Sequence, residues 1–226
     1  MASVRKTRLI LASTSPRRVE ILRDAGFEFE VRPCAVDESL RPGETPAAHV
    51  ERLAREKART GASGIAGPAV VIGADTVVVM GREILGKPAS RDDARRMLRL
   101  LSGRTHRVLT GVAVLHLRSG KRLARGEEHR RGALRSDVEA THVTFAPLST
   151  QEFEAYVASG EPDDKAGAYA VQGRGGRFVT RIEGCYFNVV GLPLARLCRM
   201  LLEMGIREGG LRHKRRPEPP GRRNKN

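Results

Sequence analysis

The chain has no tryptophan, and aromatic residues make up only 4% of its 226 positions. Side chains on which nucleic-acid bases could stack are therefore scarce. Cysteine is scarce too: Cys34, Cys185 and Cys198 are odd in number, far apart and outside any C-x-x-C arrangement. That pattern argues against a disulfide frame or a zinc site and for reduced thiols in a cytoplasmic protein. No apolar run approaches the ~18 residues of a membrane-spanning helix, and Leu9–Ala12 is too short for the apolar core of a signal peptide. No G-x-x-x-x-G-K-[ST] occurs, which excludes a P-loop, and Gly173-Arg174-Gly175-Gly176 lacks the spacing of a dinucleotide fingerprint. The six histidines form no H-x-x-x-H pair, and none lies near a Ser or Cys nucleophile motif. Catalysis through a covalent side-chain intermediate is not expected.

Positive charge is abundant, with a net +15, but it is unevenly spread. Residues 207–226 hold eight Lys/Arg against two Glu, and residues 118–135 hold seven against two. Most of the excess thus sits in two segments without interleaved aromatics. They read as a solvated tail and a charged hairpin, with contact to RNA left open. The tail cannot bury a core and is expected to be disordered. Residues 1–206 have the uniform texture of one domain, without internal repeats.

Strand and helix signals alternate along the first half, which favours an α/β domain. Leu9–Ala12 reads as a buried strand, and Ser15-Pro16 as the cap and first position of a helix to about Ala25. Phe27–Arg32 alternates like a short strand, and a loop to Gly43 carries Asp37 and Glu38. Thr45-Pro46 starts a second helix in the same manner, running to about Thr60. Ala69–Ile72 and Val77–Met80 are β-branched strand runs flanking Gly73-Ala74-Asp75-Thr76. Ser90 caps a helix over 92–101, with acids in its first turn as the dipole prefers. Thr105–Leu117 and Ser136–Phe145 look like an antiparallel pair. Helices are expected over 151–158 and from Pro193 to Leu202, and a strand over 177–182.

Several residues stand out chemically. Arg17 and Arg18 fall in the first turn of a helix, where the dipole already places positive charge. Either they are solvated on the surface, or an anion such as a polyphosphate joins them there with the free backbone N–H groups. Asp75 interrupts a nearly apolar stretch, so it either caps a turn at a strand end or does metal or general-base work. Glu38 is one of two adjacent acids that suit a surface, and with Asp75 it would also make an oxygen-ligand site for Mg²⁺. Lys57 lies in a charged helical run and Lys87 in the rigid turn Gly86-Lys87-Pro88. Gln172 offers both a donor and an acceptor to a base edge, or serves structure alone.

Taken together, these pieces resemble the Maf family, the septum-formation-like nucleoside triphosphate pyrophosphatases. The matching segments include Leu11-Ala12-Ser13-Thr14-Ser15-Pro16-Arg17-Arg18, Val36-Asp37-Glu38, Arg52-Leu53-Ala54-Arg55-Glu56-Lys57-Ala58, Gly73-Ala74-Asp75-Thr76-Val77 and Gly86-Lys87-Pro88. Further on come Tyr156-Val157-Ala158-Ser159-Gly160-Glu161-Pro162, Asp164-Lys165-Ala166-Gly167-Ala168-Tyr169, Val171-Gln172-Gly173 and Asn188-Val189-Val190-Gly191-Leu192-Pro193, all in family order over about 8–206. The resemblance implies an α/β fold with an elongated mixed β-sheet and flanking helices around a central cleft, similar to inosine-triphosphate pyrophosphatases, and a homodimer. It implies hydrolysis of a nucleoside triphosphate to the monophosphate and pyrophosphate with a divalent metal, Mg²⁺ or Mn²⁺. Asp75 is then the proton acceptor, and Ser13, Arg17, Arg18, Glu38, Lys57 and Lys87 line the phosphate and metal cleft, with Glu38 and Asp75 toward the metal. Substrate choice in the family tracks the positions of Arg17, Thr76 and Gln172, and this combination resembles the branch acting on dTTP and UTP. The competing expectation is a basic nucleic-acid-binding or cell-division regulatory protein without turnover, drawing on the tail and the 118–135 insertion.

Overall fold

The computed structural model describes residues 7–117 and 132–206 of the chain. The expected tail and most of the basic hairpin lie outside these residues. In chain order the elements are β1 (Arg8–Ala12), α1 (Pro16–Asp24), β2 (Glu30–Val31), α2 (Pro46–Ala62), β3 (Ala69–Met80), β4 (Glu83–Leu85) and α3 (Arg91–Leu101). Then follow β5 (Thr105–Leu117), β6 (Gly132–Phe145), α4 (Thr150–Ala158), β7 (Val179–Glu183), α5 (Tyr186–Val190) and α6 (Leu194–Glu203), with short 3-10 turns between α4 and β7.

Local chemistry starts the helices where the sequence suggests. Thr45 accepts the Ala48 N–H, Ser90 accepts that of Asp93, and Ser149 and Glu152 form a reciprocal capping box at α4. Ser15 occupies the N-cap position of α1, but its hydroxyl makes no capping bond; Ser13 Oγ instead accepts the Ser15 N–H at 3.2 Å. At α6, Pro193 occupies the N-cap position, one residue before the helix proper.

The strands form one mixed sheet in the order β2-β1-β3-β5-β6-β7, with β4 added to β3. β1 runs parallel to β2 and β3, whereas every other pair is antiparallel. The two expected runs at 69–72 and 77–80 are a single twelve-residue strand, so Asp75 does not end a strand or cap a turn. β5 pairs β3 without interruption from Ala69 to Val79, including Gly73–Thr76. The opposite edge of β3 is divided. β1 pairs it as far as Gly73, and β4 takes over at Val78. Residues 74–77 therefore face a gap in the sheet.

Alternation along β3 sends consecutive side chains to opposite faces. Val70, Ile72 and Ala74 join a core with Leu22 of α1, Leu197 and Leu201 of α6, and Val112 and Val114 of β5. Val78 continues this face into a second core with Leu98 of α3, Tyr156 of α4, Phe145 and Phe178. Val71 faces the other way and packs with Ala54 and Ala58 of α2. That helix comes unusually close because two strand residues are glycine. A Cβ on Gly73 would lie 2.1 Å from the Ala54 carbonyl oxygen, and one on Gly111 would lie 2.2 Å from that of Val50. Gly61 of α2 reciprocates against Ala12, where a Cβ would approach the Ala12 methyl to 2.5 Å.

Candidate functional site

The gap at 74–77 opens into a cleft of about 460 Å³. Ser13, Arg17, Arg18, Glu38, Lys57, Asp75, Thr76, Lys87 and Gln172 all line it, although they come from six separate stretches of chain. Asp75 points to the α2 face, where the glycine contacts seat Lys57 opposite it. The Lys57 ammonium donates to Asp75 Oδ1 at 2.7 Å and to Glu38 Oε1 at 2.6 Å. Lys57 and Asp75 are buried, so this ion pair is poorly screened by solvent, and one ammonium sets the spacing of both carboxylates. Burial pushes the Glu38 carboxyl up, but the Lys57 bond and the charges of Lys57, Lys87 and Arg18 outweigh it and hold Glu38 below the usual carboxylate range.

Thr76 points to the opposite face. Its hydroxyl lies 3.0 Å from that of Thr110, its partner on β5, and accepts from Arg18 at 3.1 Å. Arg18 is buried and spends its donors within the protein, on Gly191 O at 2.8 Å, Ala74 O at 2.9 Å and Ser13 Oγ at 3.2 Å as well as Thr76. Its guanidinium thereby closes part of the strand gap by taking the Ala74 carbonyl. Arg17 is the freer of the pair. Its guanidinium lies 3.9 Å from Asp164, which also pairs with Lys165.

Two further loops complete the cleft. Gly86 O accepts the Gly167 N–H at 3.0 Å, tying the Lys87 turn to the segment after Asp164. Gly167 and Ala168 are both left-handed, at φ +69° and +58°, and Ala168 is the sole non-glycine with positive φ among the described residues. Such conformations concentrate where surrounding structure fixes a functional loop. On the far side, the buried Asn188 donates to Val108 O and Thr141 Oγ1, both at 2.9 Å. It pins α5 over the sheet and so places Val189, Val190 and Gly191 along the cleft wall.

The donor set suits a divalent cation. Among the described residues, Glu38 Oε2 and Asp75 Oδ2 have no hydrogen-bond partner, because Lys57 engages only the other oxygen of each. No three His, Cys, Asp or Glu side chains among these residues surround a common metal position. A cation here has two carboxylates to use and would draw its remaining ligands from substrate phosphate and water, the habit of Mg²⁺.

This chain matches the family described as Maf-like protein over residues 8–204. It belongs to that family. Among its Maf-family relatives, a dTTP/UTP pyrophosphatase of Vibrio cholerae is 52% identical over 188 residues, 83% of this chain and 93% of the relative. One from Anaeromyxobacter dehalogenans is 50% identical, covering 88% of this chain and 95% of the relative. One from Moorella thermoacetica is 50% identical, covering 88% and 96%. A solved HAM1 protein from Coxiella burnetii aligns with a TM-score of 0.45 at 16% identity, covering 87% of this chain and 99% of that one.

Reasoning from the residues did not select Asp164 and Lys165 as part of the Maf-family cleft, although both line it. Their loop is short, polar and irregular, and carries no periodicity. The available signal was the flanking pair Gly160 and Gly167, both left-handed, which bracket a loop held in a defined shape. Among the described residues, no helix is long and apolar enough to cross a membrane.

Proposed function

We propose that this protein hydrolyses dTTP and UTP between the α- and β-phosphates, giving the nucleoside monophosphate and pyrophosphate. The observation that carries the reading is the Lys57 bridge between Asp75 and Glu38, set in a cleft that Arg17 and Lys87 also line. A nucleoside triphosphate brings about four negative charges, and its transfer chemistry asks mainly for charge and position. Arg17 at the start of α1, with the uncapped first-turn amides beside it, is placed to bind phosphate oxygens. Binding there exchanges the long contact to Asp164 for a phosphate. Lys87 supports the triphosphate from the opposite loop and helps neutralise the departing pyrophosphate.

Lys57 orients the reacting carboxylate. With Oδ1 of Asp75 held by the ammonium, Oδ2 is left open to the proton of the attacking water or to the cation. Glu38 and Asp75 are the residues that would hold Mg²⁺ or Mn²⁺. Bound there, the cation would supply charge stabilisation at phosphate oxygens and make water a better nucleophile. Selection of the base falls to Thr76 and Gln172, with Arg17 beside them, as the family resemblance implies. That resemblance also carries a homodimer into this proposal, and the few, widely spaced cysteines carry a cytoplasmic location; sedimentation and fractionation test them.

The test is a panel of nucleoside triphosphates with pyrophosphate measured in Mg²⁺, in Mn²⁺ and in chelator. dTTP and UTP should be the best substrates, and chelator should abolish release. Asp75→Asn should reduce turnover by about 10³-fold or more with an intact fold. Near-normal turnover of that variant would remove Asp75 as the base.

A further inference from the structure

Gln172 stands on a loop that one carboxylate holds from behind. Glu161 Oε1 accepts the Gly175 N–H at 3.1 Å and the Tyr156 hydroxyl at 2.9 Å, while Oε2 accepts the Arg174 N–H at 2.9 Å. The Tyr156 oxygen in turn accepts the Ala170 N–H at 3.1 Å. Backbone on both sides of Gln172 is thus tied to a single Tyr–Glu pair at the end of α4. Tyr156 is 1% exposed, among Phe153, Val157 and Phe178, so the anchor itself is fixed by core packing. Burial alone would push the Glu161 carboxyl up, but its bonds to Arg174, Gly175 and Tyr156 hold it below the usual range. It serves as a carboxylate, whose bonds to N–H groups are the stronger kind.

The loop sequence is fitted to this anchor. A Cβ on Gly173 would lie 2.5 Å from the Glu161 carboxylate, and one on Gly175 would lie 2.7 Å from the Tyr156 oxygen. Gly176 would meet the Val171 carbonyl oxygen at 2.5 Å. None of these three has a positive φ, so glycine is required here for close approach and not for backbone conformation. Such tight fitting is more than a surface loop needs merely to connect two elements. It makes sense where the position of one side chain on the loop matters.

We propose that Glu161, through Tyr156 and the loop amides, is a positioning residue for nucleobase selection. It fixes the 170–176 backbone so that the Gln172 amide meets the base at one height and angle. The inference rests on the reading above that Gln172 contacts the base. Uracil and thymine each present an acceptor and an adjacent donor on one edge, and a fixed amide matches both at once. If the loop drifts, that paired contact weakens, while the contacts of Arg17 and Lys87 to the triphosphate are untouched. The loss therefore falls on KM and on selectivity before it falls on kcat.

The experiment compares kcat and KM for UTP and CTP in the wild type, Glu161→Gln, Tyr156→Phe and Gln172→Ala, with thermal unfolding alongside. Gln cannot accept the Arg174 N–H at its amide nitrogen, and Phe removes only the hydroxyl between Ala170 and Glu161. Glu161→Gln should lower the UTP/CTP ratio of kcat/KM by about tenfold, mainly through a higher KM for UTP. Tyr156→Phe should move the ratio in the same direction, and it carries the test if Glu161→Gln does not fold. An equal loss on both substrates, with a ratio unchanged from wild type, overturns the positioning role if Gln172→Ala collapses the ratio. If Gln172→Ala leaves the ratio intact, the reading of Gln172 fails, and the inference falls with it.

Discussion

At the scale of single residues, the neighbouring arginines of α1 have separated roles. Both stand in a first turn that disfavours cations. Arg18 is relieved of that penalty internally, by two carbonyls and two hydroxyls, and acts as a buried strut joining α1, β3 and the Gly191 turn. Arg17, more open and loosely paired, is left for the anion. A lysine could replace a phosphate-binding cation but not a planar fork that spans several acceptors. Arg18→Lys should therefore destabilise the protein by about 2 kcal/mol, since it strands buried acceptors, and should raise KM for UTP through displacement of Thr76. Denaturant unfolding and steady-state kinetics check this; wild-type stability with an altered KM would restore Arg18 to the role of a phosphate ligand. The sequence shows that two arginines stand at a helix start. It does not show which one the fold consumes, because the consuming carbonyls, Ala74 and Gly191, are backbone groups that no side-chain pattern marks.

At the scale of elements, the decisive contact is α2 on β3 and β5. Its closeness brings Lys57 within hydrogen-bond reach of a mid-strand aspartate. Gly73→Ala would place a methyl 2.1 Å from one α2 backbone atom and 2.5 Å from another, so the whole helix must shift. Overpacking against backbone should cost about 3 kcal/mol and loosen the Lys57–Asp75 pair. Thermal unfolding and pyrophosphate release should both fall; an unchanged midpoint and rate would mean the helix yields freely. Apolar periodicity and cap-then-proline signals made β1, α1 and α2 legible in the sequence. The unity of β3 was not, because Asp75 and Thr76 look like a break until Lys57 and Arg18 satisfy them from outside. The strand expected over Phe27–Arg32 is present as the two-residue β2, Glu30–Val31, whereas the three-residue β4 and the five-residue α5 escaped for a simple reason: each is too short to show a period. The strand expected over 177–182 begins later, at Val179, because Arg174–Phe178 winds as a 3-10 turn around the Glu161 anchor. The candidate site was legible because its residue types are rare in their settings: a charge in a strand, arginines at a helix start, a lysine before proline.

At the scale of the whole molecule, buried and bonded titratable groups point to acid sensitivity. His106 is 2% exposed beside Phe145 and Tyr169, and burial pulls its pKa down to about 4 from an ordinary 6.5. Between these values the unfolded chain binds a proton that the folded protein refuses, so stability falls as pH drops from about 6.5 to 4. The loss attributable to this one group is on the order of 3 kcal/mol. Glu38 and Glu161, both held below the usual range, add losses in the same direction on further acidification. Denaturant unfolding at a series of pH values should show the decline, and His106→Gln, which cannot protonate, should flatten it above pH 4. An identical slope in that variant would assign the effect elsewhere.

The glycine seats beneath α2 also bear on how the chain reaches this structure. If β3 slid by one residue against β5, every side chain would change faces. Depending on the direction of the slip, Ile72 or Ala74 would then stand at the place of Gly73, where the helix now touches bare backbone, and either would crowd it. A sheet misaligned in this way could not seat α2 at its present distance. Gly73 thus penalises a misaligned pairing of β3, while Gly111, on β5, keeps its place under the helix. The register that keeps Gly73 beneath the helix is the one that presents Asp75 to Lys57 and Thr76 to Arg18.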